Sequence, residues 1–233
     1  MAETLQVQAA RCPYQVPFVL HIESDNGLIQ VLCRHVLRYL PGKRLVCNGE
    51  WEGRQVVVKL FLSARRGKRH CLQEKLGLLA LHKAGLNCPG VLLKGRGEPD
   101  KQPVLILTYI NGGIDCKHLW DHAEVEEERR KLLFQLVQAI ADLHNAGLYH
   151  QDMHLGNFMA SDKCLYILDG AALGLRGEGS PLPQAKSIQN LAKLFAQFSA
   201  QFDHLFPQAL RRYQQKRGWI VDKRLSDQLT KWI

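Results

Sequence analysis

The spacing of apolar residues changes several times along this chain, and the changes mark out its elements. Phe18 to Ile22 is apolar enough for a short strand, and Ser24-Asp25-Asn26-Gly27 is a turn cluster. Val36 to Leu40, Arg44 to Cys47 and Gln55 to Phe61 are β-prone runs separated by Pro41-Gly42 and by a turn around Gly49 to Gly53, so they predict a three-stranded antiparallel meander. Residues 67 to 85 then take a helical period. Leu72, Leu76, Leu79 and Ala80 form one apolar stripe, Leu78 and Leu81 a second, and Glu74 heads the second. Residues 86 to 102 read as a Gly- and Pro-rich loop with Val91 to Leu93 as a candidate strand. Pro103 to Ile110 reads as a buried strand broken by Asn111-Gly112-Gly113.

The second half is mainly helical in pattern. Asp121-x-x-Glu124 has the form of a capping box with Asp in the Ser or Thr place, and it should open a long helix. Leu132, Leu136, Ile140 and Leu143 make the buried stripe of that helix, Leu133 and Val137 widen it, and Gly147 ends it. A polar loop follows, then the apolar run Tyr166-Ile167-Leu168. After a short Gly- and Pro-rich segment, Ile188, Leu191, Phe195, Phe198, Phe202 and Leu205 predict a further helix whose aromatic stripe belongs to a core rather than a coiled coil. From Pro207 onward, Arg211, Arg212, Lys216, Arg217, Lys223 and Arg224 read as a solvated basic face.

Composition narrows the class. With 233 residues, 46% hydrophobic and 23% charged, the chain suits one large domain or two small lobes, and disordered and fibrous classes are excluded. The start, Met1-Ala-Glu-Thr-Leu-Gln6, has neither a basic nor an apolar targeting region, so a cytoplasmic location is expected. Seven cysteines scattered singly, without a Cys-x-x-Cys pair, suit free thiols. A net charge of +9 calls for an anionic partner, such as nucleic acid, nucleotide phosphates or an anionic membrane surface.

The polar loop carries the candidate chemistry. His150-Gln151-Asp152-Met153-His154-Leu155-Gly156-Asn157-Phe158 gathers two imidazoles, a carboxylate and a carboxamide, and Asp169-Gly170 follows the next apolar run. A carboxylate able to take a proton from a hydroxyl, an Asn five residues on and a further Asp form the minimal set for Mg-ATP phosphoryl transfer, here Asp152, Asn157 and Asp169. His-x-Asp-x-His also admits a metal-hydrolase reading, which leaves Asn157 without a role. Upstream, Lys59 in a strand run and Glu74 in the next helix have the order by which kinase-like folds hold a lysine on nucleotide phosphates. The strand ending at Ile110 is where a hinge between two lobes falls, with backbone near Thr108, Tyr109 and Ile110 meeting an adenine edge.

His150-x-Asp152-x-His154-x-Gly156-Asn157, with Lys59 upstream and Asp169 downstream, resembles the protein-kinase-like superfamily and its small-molecule branch. Size, basic charge and the stretch from Pro41-Gly42-Lys43 to Lys59 most resemble the bacterial lipopolysaccharide core kinases, which act on heptose and Kdo, over roughly residues 30 to 206. The resemblance implies an α+β, bilobal fold: a small antiparallel-sheet N-lobe over 1–109 that binds nucleotide, and a reduced, mainly helical C-lobe over 110–233. It implies ATP and Mg²⁺ as cofactors. By the same resemblance Asp152 is the catalytic base, His154 lies beside the transferring phosphate, Asn157 and Asp169 ligate Mg²⁺, Lys59 holds phosphate and Glu74 pairs with it. His150 braces the loop. The implied partner is an anionic sugar or glycolipid, with peripheral contact at the cytoplasmic face of the inner membrane and no nucleic acid.

Three departures bear on the acceptor. No Gly-x-Gly-x-x-Gly precedes Lys59, only Pro41-Gly42-Lys43-Arg44 near the same place; no Phe follows Asp169; and there is no Ala-Pro-Glu platform. The short segment after Asp169 suits a sugar hydroxyl better than an extended peptide. An atypical protein kinase and a pseudokinase scaffold remain the alternatives.

Overall fold

The computed structural model describes residues 12–161, 164–175 and 180–220. Lys223 and Arg224 of the basic tail lie outside these. The chain is α+β with every strand pairing antiparallel, and it divides into two compact units: residues 1–79 with 89–110, and residues 80–88 with 111–233.

In the first unit, β1 (Phe18–Ser24), β2 (Gly27–Leu40), β3 (Arg44–Trp51), β4 (Arg54–Phe61), β5 (Val91–Gly97) and β6 (Gln102–Thr108) close into a barrel in the order β1-β2-β3-β4-β6-β5. Alternation explains the interior. Leu45 and Cys47 of β3, Val56, Val58 and Leu60 of β4, and Val104 and Ile106 of β6 point inward with Leu20, Ile22, Val31 and Cys33. The predicted meander is therefore half of the sheet, because Ile22 pairs with Gly97 and Ser24 with Gly95 across a long stretch of sequence that no local pattern reveals. Residues 86 to 102, read as mostly loop, supply β5. Gly49 does not turn the chain. It lies in β3 opposite Cys33, where a Cβ would stand 2.8 Å from the Leu32 carbonyl oxygen, so its glycine permits close strand approach. The turn is confined to Glu52 and Gly53, both at positive φ.

In the helix α1 (Gly67–Lys83) the second of the two apolar stripes is the buried one. Leu78 and Leu81 are buried with Cys71 and Glu74, while Leu72, Leu76 and Leu79 face solvent. The longer apolar stripe lost because the inward face is fixed by a charge contact described below.

In the second unit, α2 (Cys116–Asp121) and α3 (Glu126–Asn145) precede β8 (Leu148–His150), with the short β7 (Ile114–Asp115) before them. The expected capping box does not form: Asp121 closes α2, and α3 starts after Val125 with no side-chain cap. Instead the Glu128 carboxylate accepts from the Glu124 N–H at 3.0 Å, and Glu126, Glu127 and Glu128 complement the positive end of the helix dipole. Leu132, Leu133, Leu136, Val137, Ile140 and Leu143 are all buried, as their spacing predicts.

The helix expected through Leu205 is two pieces. α4 (Gln184–Phe195) stops, the chain turns at residues 196–199, and a 3-10 turn (Ala200–Leu205) leads into α5 (Phe206–Lys216). The break folds the aromatic stripe on itself, with Trp120 4.2 Å from Phe198 and Phe195 4.5 Å from Phe206, ring centroid to centroid. Arg217 also departs from expectation: it is buried, its Nη2 donates to the Leu182 carbonyl at 2.6 Å, and its guanidinium lies over Trp219. The α5 terminus causes this, since Gly218 at φ 65° lets the Trp219 N–H reach the Gln214 carbonyl and brings the indole back over the helix end.

Between α3, α4 and α5 lies a buried polar chain. His144 Nδ1 meets the Tyr213 hydroxyl at 2.6 Å and Nε2 meets Asn190 Oδ1 at 3.0 Å. Burial, aided by the nearby Arg217 charge, pushes the His144 pKa down from 6.5 to about 4. Between those values the unfolded chain binds the extra proton, so stability should be full above about pH 6.5 and fall as pH drops toward 4. The loss should reach about 3 kcal/mol. Denaturant midpoints measured from pH 7.5 down to 4.5 should show this slope, and His144→Gln should flatten it.

Candidate functional site

Lys59 and Glu74 come together in the first unit. On β4, Val58 and Leu60 fill the barrel, so Lys59 must point to the outer face. There its Nζ donates to Glu74 Oε1 on α1, and Arg44 Nη1 stands 3.8 Å from Glu74 Oε2. Glu74 is wholly buried and Lys59 nearly so. A carboxylate there is tolerable only because cations meet it, which sets the rotation of α1 about its axis.

Thr108 ends β6 opposite Val56, and its hydroxyl accepts from the Gly90 N–H at 2.8 Å while its own N–H donates to the Gly90 carbonyl. Tyr109 and Ile110 follow the strand and are half-buried. Their backbone lies beyond the ladder, which ends at Thr108.

In the second unit the polar loop alternates between anchors and exposed groups. Met153, Leu155 and Phe158 are buried, while Asp152 and His154 are exposed between and beside them. The apolar side chains hold the loop and leave the ionisable groups in water. Asn157 is nearly buried, and its Nδ2 donates to the Asp152 carbonyl at 2.9 Å and lies 3.4 Å from Asp152 Oδ2. The amide nitrogen is thereby committed, which orients the amide oxygen as the group left for a cation. The hairpin of β9 (Phe158–Ser161) and β10 (Cys164–Ile167) pairs Phe158 with Ile167, and the Leu168 N–H donates to the Asn157 carbonyl at 2.9 Å. The main chains of Asn157 and Leu168 thus meet at the open end of the hairpin, and Asp169 follows one residue beyond. Asp169 Oδ1 accepts from the Ala171 N–H at 2.9 Å.

The two loop imidazoles are engaged with backbone. His150 is buried and its Nε2 faces the Asp169 carbonyl at 3.0 Å, so that nitrogen carries the proton and ties the loop to the second carboxylate segment. His154 Nδ1 accepts from the Gly156 N–H at 3.0 Å, capping the 3-10 turn Leu155–Asn157 and turning Nε2 outward. A Cβ at Gly156 would lie 3.2 Å from that Nδ1, a tight approach to the imidazole. Among the described residues no three His, Cys, Asp or Glu side chains are grouped to hold a metal. The donors present, an amide oxygen and carboxylates, are hard oxygen ligands of the kind Mg²⁺ takes with retained waters. They do not fit the metal-hydrolase reading.

Sequence reasoning missed the residues that hold the loop. Asn190 Nδ2 donates to the His150 carbonyl at 2.6 Å and its Oδ1 accepts from the His150 N–H at 3.3 Å; Lys193 Nζ donates to the Gln151 carbonyl at 2.9 Å. Gln197 accepts from the Leu155 N–H at 2.9 Å and donates to the Met153 carbonyl. Three side chains at i, i+3 and i+7, from α4 and the turn after it, thus grip four loop residues by their main chain. The signal was Asn190, a polar residue inside an apolar stripe. His144, four residues after Ile140, was the matching signal on α3.

A family model for the lipopolysaccharide kinase (Kdo/WaaP) family matches residues 53–169, half of the chain. The match runs from the start of β4, through Lys59, Glu74 and the polar loop, to Asp169.

Two outcomes follow from these contacts. Lys59→Met should cost about 3–5 kcal/mol by leaving Glu74 buried without its lysine, and Lys59→Met combined with Glu74→Leu should cost much less than the sum of the single changes; denaturant unfolding of the four proteins closes the cycle. Gln197→Ala removes the acceptor of the Leu155 N–H, so amide hydrogen exchange at Leu155 should rise about tenfold with little change in the barrel strands.

Proposed function

This chain belongs to the lipopolysaccharide kinase (Kdo/WaaP) family, phosphotransferases that act on sugar hydroxyls, and we propose that it moves the γ-phosphate of ATP to a heptose or Kdo hydroxyl of the lipopolysaccharide inner core. The observation that carries the reading is the Asn157 amide, clamped to Asp152 on one side and bonded through its backbone to Leu168 on the other. One residue thereby keeps the proposed base and the proposed metal segment in fixed register.

In this reading residues 1–109 and 110–233 act as the two lobes of a kinase-like enzyme. Thr108, Tyr109 and Ile110 meet the adenine edge, and Lys59, steadied by Glu74, holds nucleotide phosphate. Asp152 accepts the proton as the acceptor oxygen bonds to the γ-phosphorus and ADP departs. His154, its Nδ1 occupied by the Gly156 N–H, offers Nε2 to the transferring phosphoryl group. Asn157 and Asp169 would hold Mg²⁺, which when bound neutralises charge on the phosphate oxygens. Excess Lys and Arg help to retain an acceptor that already carries carboxylates or phosphates. No helix among the described residues is long and apolar enough to cross a membrane. The protein works at the cytoplasmic face of the inner membrane, where the glycolipid acceptor is presented.

Asp152→Asn should lower kcat by about a thousandfold or more with nucleotide affinity nearly unchanged, because the base acts in the chemical step. Asp169→Asn should weaken Mg-ATP binding as well. Purified, de-acylated inner-core oligosaccharide with Mg-ATP, followed by mass spectrometry, should gain one phosphate. Phosphate appearing only on protein substrates, or an Asp152→Asn enzyme near wild-type rate on the oligosaccharide, would overturn the reading.

A further inference from the structure

The outward face of α1 has a composition unusual for a solvated helix. Leu72, Leu76 and Leu79 are 45%, 55% and 45% exposed, and at i, i+4 and i+7 they form one line along the helix about 10 Å long. A helix of a soluble protein normally turns such a line into the core. Here the core-facing positions are taken by Cys71, Glu74, Leu78 and Leu81, and the leucine line is left outside.

Among the described residues of the helix and the turn before it, the exposed charges are all of one sign. Arg65 and Arg66 just before the helix, Lys68 and Arg69 in its first turn and Lys83 at its end are exposed, and Lys75 is half-buried on the flank. Glu74, the one acid of the helix, is fully buried against Lys59 and contributes nothing to the surface. A leucine ridge bordered only by cations matches a surface that is apolar beneath and anionic above. We propose that this face of α1 docks the protein on an anionic lipid bilayer, with the three leucines at the headgroup boundary and the surrounding cations on lipid phosphates.

An acidic polypeptide would also satisfy the cations. The helix, however, exposes no acidic side chain to set register by mixed charge, and Gln73 and His82 are the exposed polar groups along it besides its lysines and arginine. Such non-directional attraction suits a fluid surface. The inference deepens the proposed function and rests on it for the lipid-borne acceptor. It places docking on the helix that carries the Lys59 partner.

The test is co-sedimentation of the full chain with vesicles of phosphatidylglycerol and phosphatidylcholine, and with vesicles of phosphatidylcholine alone. Wild type should bind the anionic vesicles and release with salt. Combined Leu72→Ser, Leu76→Ser and Leu79→Ser should weaken binding about tenfold or more, and the single Leu76→Glu should weaken it in the same direction. Both variants should keep the wild-type unfolding temperature, since the changed side chains are exposed, and should phosphorylate soluble oligosaccharide at the wild-type rate. Failure of the kinase reading would show in that last arm with vesicle binding intact. The docking proposal is overturned if wild type does not bind anionic vesicles, if it binds neutral ones equally, or if the leucine variants bind as wild type. It is equally overturned if immobilised poly-glutamate captures the protein through these leucines while vesicles do not.

Discussion

A carboxylate buried out of reach of water fixes much of the first unit. Glu74 can remain charged inside the protein only where Lys59 and Arg44 meet it, and those side chains are aimed by the alternation of β4 and β3. Once the pair is formed, α1 has one permitted rotation about its axis. Leu78 and Leu81 go inward with Glu74, and Leu72, Leu76 and Leu79 are carried to the surface. The other rotation would hide three leucines at roughly 1.5–3 kcal/mol each but would expose Cys71, Leu78 and Leu81, so the net apolar gain is at most about one leucine. That rotation would also carry Glu74 away from Lys59 and leave the nearly buried lysine without its carboxylate, which costs several kcal/mol. The chain accepts exposed leucine to keep one ion pair.

The second unit solves a different problem, which is to hold a loop of ionisable groups in water without letting it move. Its solution is to keep the fastening off those groups. Met153 and Leu155 plug into the core, and Asn190, Lys193 and Gln197 bond to loop peptide groups, so most of the fastening falls on the main chain, and the Asp152 carboxylate takes only the long contact from Asn157. His144 extends the grip by fixing Asn190, and Tyr213 fixes His144, so helix α5 bears on the loop through three successive hydrogen bonds. Each member is buried, and replacing any one removes a hydrogen bond from the next.

Periodicity located most of the elements, and residue type, spacing and resemblance singled out the candidate residues. Lys59, Glu74, Asp152, His154, Asn157 and Asp169 were legible because phosphoryl-transfer chemistry needs particular side chains at short spacings, and spacing survives in one dimension. The α3 stripe was legible because helical period and burial there agree. What tertiary structure decided were the cases in which two local signals competed or a partner was distant in sequence. Closure of the barrel depends on β1 finding β5, and the Gly49 backbone approach depends on Leu32. The supposed cap at Asp121 gave way to a separate short helix, and the aromatic stripe broke so that Phe206 could pack on Phe195. Two leucine stripes on α1 were visible from the start. Which of them is buried was set by an ion pair between residues fifteen apart, because the cost of an unpaired charge exceeds the gain from apolar area and neither appears in a hydrophobic pattern.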